Sequence, residues 1–294
     1  MKAWLRLARV PFAFTAATDA LAVGLLAHVA LGSDATTTRW AAVLGAAVLV
    51  YAFGMMLNDW ADRTEDALHA PDRPIPSGAL RPTAVAVAIL IVAAGALALG
   101  HLAGTLPAVS AALVLAALYD LGTKRSVIGG AAVLGLARAA NAAQVPLAAA
   151  LAGAVAPTAL LAALAVGAYA AAITIHSAQA EVGVRYTLLV RTLVGLAFAG
   201  AAVLAWVAAG SFTLATMFAS MLAFGVASST AFGRTPRPGP IPKQVREMLG
   251  GLYVLAYVIA SAALGANALW ALGGLVAAWG MAIASQLVVR ALRP

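Results

Sequence analysis

The sequence predicts an all-α protein, a polytopic membrane helix bundle of nine to ten transmembrane helices around a central cavity that opens to the cytoplasmic side. Composition is the first reason. Of 294 residues, 64% are hydrophobic and only 10% are charged, whereas a soluble domain is nearer half apolar and about 25% charged. The second reason is distribution, because the apolar residues fall in runs of spanning length between short polar loops. The third is the placing of positive charge. Sixteen of the 18 Lys and Arg fall at one set of loop ends, and Arg39 stands alone at the other. The positive-inside rule makes the rich side cytoplasmic and places the chain in the inner (cytoplasmic) membrane.

The apolar runs lie at roughly 11–31, 40–58, 82–102, 105–120, 127–149, 157–178, 187–208, 211–230, 247–264 and 267–289. The fourth is short. The ninth also admits a reading as a re-entrant or interfacial element, which would leave nine spans. Lys2, Arg6 and Arg9 precede the first run, as in a signal peptide. That run is about 20 residues long, too long for a signal core, so it reads as an uncleaved first helix. Ala, Gly and Leu dominate, and small residues let membrane helices approach closely. No internal repeat or long linker divides the chain, so residues 1–294 read as one domain. There is no cysteine, which excludes disulfides and thiolate chemistry. The formal charge of +8 sits in the loops, where it sets topology. The lipid bilayer is therefore the expected partner, and nucleic acid is not. Most of the six Trp fall near helix ends, as in an interfacial belt.

The stretch Asn58-Asp59-Trp60-Ala61-Asp62-Arg63-Thr64-Glu65-Asp66 closes the second run. If the helix continues through it, Asn58, Asp59, Asp62 and Asp66 share one face. Acids so placed repel one another unless a cation lies between them, and hard oxygen ligands suit Mg²⁺. The loop His69-Ala70-Pro71-Asp72-Arg73-Pro74-Ile75-Pro76-Ser77-Gly78 follows. Its three prolines make it rigid and non-helical, able to hold Arg73 above the acids.

Deeper in the bundle, Asp19 and Arg138 lie far inside the first and fifth runs. Ionisable groups at that depth cost about 3 kcal/mol or more, so they pair with each other or face a wet cavity. Asn141 stands three residues after Arg138 on the same face, which favours a cavity. His28, His69 and His101 show no metal-ligand spacing, and His176 alone near a helix end reads as a structural residue. No phosphate loop, nucleophile elbow or zinc-protease motif occurs.

The pattern N-D-x-x-D-x-x-x-D with R-P-I-P-S-G, over residues 58–78, resembles the first signature of the UbiA superfamily of intramembrane prenyltransferases. The resemblance implies that Asp59, Asp62 and Asp66 hold Mg²⁺ on the diphosphate of an isoprenoid donor, with Asn58 assisting. The stretch Tyr119-Asp120-Leu121-Gly122-Thr123-Lys124-Arg125 is similar to the family's Tyr/Lys segment and makes Lys124 and Arg125 diphosphate-binding cations. Gly135 to Asn141, and Arg9 with Pro11, Thr15 and Asp19, resemble one bacterial branch. The family's second acidic signature is expected near residues 176–185, where this chain keeps only Glu181.

The expected activity is Mg²⁺-dependent transfer of a prenyl group from an isoprenoid diphosphate to an unknown small acceptor. Asp59, Asp62, Asp66 and Lys124 carry the ionisation. Asn58, Arg73, Tyr119, Arg125 and Glu181 contact the donor site, and Asp19, Arg138 and Asn141 orient the acceptor. Two other readings stand beside this one, a terpene cyclase on the same scaffold and a non-enzymatic transporter or scaffold.

Overall fold

In an apolar surrounding a backbone must satisfy its own hydrogen bonds, and a helix does so within one segment. The computed structural model describes residues 1–32, 36–182, 187–209 and 243–264, with the side chains of 179–187, 202, 204–206, 208–209, 243–244, 246–247, 262 and 264 outside the described set. Among the described residues the regular elements are all helical.

A short helix α1 (Lys2–Leu7) leads into α2 (Val10–Leu31), followed by α3 (Thr37–Ala61), α4 (Arg63–His69), α5 (Pro82–Ala103) and α6 (Leu106–Leu121). A single 3₁₀ turn at Thr123–Arg125 precedes α7 (Val127–Ala142), α8 (Gln144–Leu151), α9 (Pro157–Val182), α10 (Thr187–Ala209) and α11 (Lys243–Leu264). Among the described residues, four helices are long and apolar enough to cross a membrane: α2, α3, α5 and, within α9, Pro157–Ala178. Shorter apolar stretches run along α6, α7, α10 and α11. The expected spans at 211–230 and 267–289 lie outside the described residues.

One break divides a run expected above, and a second interrupts the helix expected through Asn58–Asp66. The fifth run divides at Ala143 into α7 and α8. Pro146 accounts for it, because its ring would strike the carbonyl four residues back, at Ala142, and it has no N–H to donate. The second break is at Asp62, where α3 ends and α4 begins. The bonding is nearly continuous there, with Asp62 N donating to Asn58 O at 3.0 Å and Asp66 N to Asp62 O at 2.8 Å.

α3 packs on α2, α5 and α6, α7 packs on α6 and α9, and α11 packs on α2 and α10. The α7–α9 crossing is close because both helices place glycine there. A methyl on Gly135 would stand 2.7 Å from the Gly167 carbonyl oxygen. One apolar cluster joins α2, α7, α9, α10 and α11, and another joins α3, α5, α6 and the loop residues Ile75 and Leu80. α5 turns Val87, Leu90 and Ile91 outward, a surface suited to lipid.

Two arginines also tie separate segments together. Arg6 donates to Asp72 O at 2.9 Å, which joins the N-terminus to the loop after α4. Arg39 donates to Ala103 O at 3.3 Å, tying the start of α3 to the end of α5.

Candidate functional site

The apolar frame surrounds two polar centres. The outer one forms where α3 meets α4. Asp59, the last buried residue of α3, accepts from Arg9 Nη2 at 3.0 Å. Asp62, at the helix junction, accepts from Lys124 Nζ at 2.5 Å. Asp66 on α4 accepts from Arg73 Nη1 at 2.5 Å, and the same nitrogen lies 3.5 Å from Asp59. Each acid is thus matched to a cation from a different segment: the α1–α2 junction, the 3₁₀ turn and the proline loop.

Local sequence fixes each cation. Ile75 and Leu80 anchor the proline loop in the core, and Leu80 N bonds back to Pro74 O at 2.9 Å. Arg73 stands two residues before Ile75, at the start of this anchored segment. Lys124 lies against α7 because residue 130 is glycine, since a Cβ there would meet the Lys124 Cα at 2.9 Å.

Asn58 ties the centre to α6. Its Nδ2 donates to Asp62 Oδ2 at 3.2 Å and to Asp120 Oδ1 at 3.0 Å. Asp120 is buried at the end of α6. It was not among the residues assigned a role from sequence, although a signal was present. An acid in the last turn of a helix opposes the helix dipole and is unfavourable unless something holds it there. Tyr119 is half-buried beside it, and Arg125 is exposed.

Asp66, on the short helix outside the spans, has a displaced pKa. Burial pushes its carboxyl above the ordinary aspartate value, Arg73 pulls it back, and Asp59 and Asp62 push it further up.

The inner centre lies deeper along α2. Asp19 is ten residues past Arg9, about 15 Å at 1.5 Å per residue. It accepts from Arg138 Nε at 2.8 Å, and Arg138 Nη2 also donates to Thr15 Oγ1 at 2.6 Å. The Tyr51 ring stands 5.8 Å from the Arg138 guanidinium. Asp19 Oδ1 is buried with no hydrogen-bond partner among the described residues. Asn141 spends its amide on the frame, donating to Ala47 O at 3.1 Å and accepting from Gln144 at 3.1 Å. Gln144 in turn accepts from Thr105 at 3.2 Å, so this chain of bonds bridges the α7–α8 break. His176 is buried on α9, and the side chain of Glu181 lies outside the described residues.

The outer donor set is carboxylate and amide oxygen, which suits a hard cation. Among the described residues no three acids or histidines converge as a metal cage. That is compatible with Mg²⁺, which keeps several waters and uses one or two carboxylates together with substrate phosphate.

The family model for the UbiA prenyltransferase family matches residues 20–185. Two curated proteins named digeranylgeranylglyceryl phosphate synthase, from two strains of Halobacterium salinarum, are 38% identical over 107 residues. That stretch covers 34% of this chain and 38% of each relative. Among solved structures, a UbiA homolog from Archaeoglobus fulgidus bound to GPP and Mg²⁺ aligns at a TM-score of 0.61 and 16% identity, over 89% of this chain and 98% of that one. The same homolog bound to DMAPP aligns at 0.59 and 15%, over 89% and 97%. A structure described for digeranylgeranylglyceryl phosphate synthase in membranes aligns at 0.56 and 14%, over 95% and 98%. At these identities the likeness shows a shared fold.

Proposed function

This chain belongs to the UbiA prenyltransferase family, and from that membership we propose that it transfers a prenyl group from an isoprenoid diphosphate to a small acceptor within the membrane, with Mg²⁺ as cofactor. One observation supports this most. Three acids at a single helix junction, Asp59, Asp62 and Asp66, face three cations brought from three other segments. Such a centre offers ligands for a metal and positive charge for a diphosphate in the same place.

Asp59, Asp62 and Asp66, with Asn58, would hold Mg²⁺, which when bound supplies positive charge to the leaving diphosphate. Lys124 and Arg73 supply fixed positive charge where negative charge grows as the C–O bond breaks. Arg125 and Tyr119 flank the headgroup, and Glu181 stays assigned to the same donor site from sequence alone. The apolar walls keep bulk water from the allylic cation. Asp19 and Arg138 orient the acceptor from the inner centre, and Asn141 braces that wall.

The site opens to the cytoplasm of a bundle of nine to ten spans in the inner membrane. Arg6, Arg9, Arg73 and Lys124 all gather at the outer centre or its adjoining loop, and the basic side of a membrane protein is the cytoplasmic one.

The test incubates membranes carrying the protein with Mg²⁺, labelled dimethylallyl, geranyl and longer diphosphates and a cell extract, then identifies products by mass. A prenylated product that requires Mg²⁺, and falls on the order of 100-fold in Asp59→Ala, is expected. Wild-type turnover in Asp59→Ala, or no prenylated product at any chain length, overturns the reading.

A further inference from the structure

We infer that Asp120 is a positioning residue that fixes which atom of the Asn58 amide faces the metal–diphosphate site. The inference rests on the prenyl-diphosphate reading above and extends it to a residue which that reading does not use.

Asn58 carries two N–H groups and one carbonyl oxygen on its amide. Among the described residues both side-chain bonds leave from Nδ2, one to Asp62 on the next helical turn and one to Asp120 across on α6. Two hydrogens are thereby spent on two carboxylates. Oδ1 takes no donor among the described residues and remains as a hard oxygen ligand. With Asp62 alone, one N–H would be unassigned. Turning the amide over would then exchange a single contact, and the nitrogen could face the incoming cation. With Asp120 in place, the turned amide would set its carbonyl oxygen against two carboxylates at once. The orientation is locked by repulsion in the wrong state as well as by bonds in the right one.

The setting of Asp120 supports a role beyond stability. It is 3% exposed, at the C-terminal end of an apolar helix. Burial and the helix dipole both disfavour a carboxylate there. Among the described residues its side chain takes its hydrogen bond from Asn58. Four residues on, Lys124 reaches Asp62, so one short segment grips both neighbours of that turn.

A double-mutant cycle tests this with a readout other than turnover. Calorimetry on purified protein in detergent measures the affinity for Mg²⁺ with inorganic pyrophosphate in wild type, Asn58→Ala, Asp120→Ala and the double variant. If Asp120 acts through Asn58, each single change weakens binding roughly 10-fold and the double is no worse than either. Asp120→Asn keeps an accepting oxygen and should hold affinity within about threefold of wild type. Multiplicative losses in the double variant overturn the proposal. So does an Asp120→Ala protein that melts earlier yet binds as wild type, and so does an Asp120→Asn protein as weak as Asp120→Ala. If wild type itself fails to bind Mg²⁺ and pyrophosphate, the prenyl-diphosphate reading has failed and this role falls with it; the wild-type titration alone separates the two cases.

Discussion

Arg9 donates to Asp59 at 3.0 Å from a backbone held at φ 45°, in the left-handed region. Among the described residues it is the only non-glycine with positive φ. Such a conformation costs a side-chain-bearing residue roughly 1–2 kcal/mol, and glycine would adopt it freely. The strained turn between α1 and α2 aims the guanidinium at a buried acid. Arg9→Gly and Arg9→Ala lose the same charge and differ only in the backbone. The glycine variant should be the more stable by about 1 kcal/mol, while both lose Mg²⁺–pyrophosphate affinity equally. Paired melting and calorimetry check this. Equal stability of the two would show that the turn stores no strain.

The three ion pairs of the outer centre also predict how ligands enter. Mg²⁺ alone must displace Arg9, Lys124 and Arg73 from their acids and leave those cations without partners. Pyrophosphate alone must approach the acids themselves. Together, each relieves the other, because the cations transfer to phosphate as the acids take the metal. Binding should therefore be strongly synergistic. Calorimetry should find neither ligand tight alone and at least a 10-fold gain for either in the presence of the other, about 1.4 kcal/mol of coupling. Arg73→Gln frees Asp66 and should raise the affinity for Mg²⁺ alone while lowering it for the pair. Tight binding of Mg²⁺ to the wild type without pyrophosphate would contradict the scheme.

Asp66 gives the site a pH signature. Its carboxyl is raised above the ordinary value chiefly by burial. The folded chain thus holds this proton to higher pH than the unfolded chain does. Its contribution to fold stability is full below the ordinary range, near about pH 4, and is lost as pH rises through the raised value. Metal binding has the opposite sign, since a protonated acid is a poor ligand. Across that window wild-type Mg²⁺–pyrophosphate affinity should rise while the melting temperature falls. Asp66→Asn should flatten the part of both profiles that belongs to this group. Profiles unchanged by the substitution would assign the titration elsewhere.

The legible part of this molecule was the part written in local spacing. Runs of apolar residues gave helices because a lipid-facing backbone has one local solution, and the Asn58–Asp66 spacing placed four polar groups along one helical path. Asp19 and Arg138 drew attention because charge at that depth demands an explanation, and the structure pairs them. What was less legible depends on other segments. The break at Asp62 leaves the bonding almost intact, so no breaker residue marks it. The break at Ala143 did have its marker in Pro146, but the run stayed apolar throughout. Asp120 looked like one polar residue within a family-like segment. Its meaning comes from Asn58, 62 residues away in sequence.

The inner pair separates a structural role from an acceptor-orienting one. Asp19 and Arg138 are almost enclosed, with side chains 1% and 11% exposed. Removing one partner leaves a buried charge unmatched, a loss of about 3–5 kcal/mol, whereas replacing both by apolar residues of similar size is often neutral or better. Asp19→Leu should therefore melt well below wild type, and Asp19→Leu with Arg138→Met should recover most of the loss. The double variant leaves Asp59, Asp62 and Asp66 untouched, so it should still bind Mg²⁺ and pyrophosphate as wild type does. If the pair orients the acceptor, that stable, ligand-competent protein will nevertheless fail to form the prenylated product. Asp19 Oδ1, buried without a partner among the described residues, is the atom best placed to take a hydrogen bond from the acceptor, and in the double variant it is gone. Melting, calorimetry and product mass on one preparation decide the matter. A double variant with wild-type turnover would make the pair a structural tie between α2 and α7.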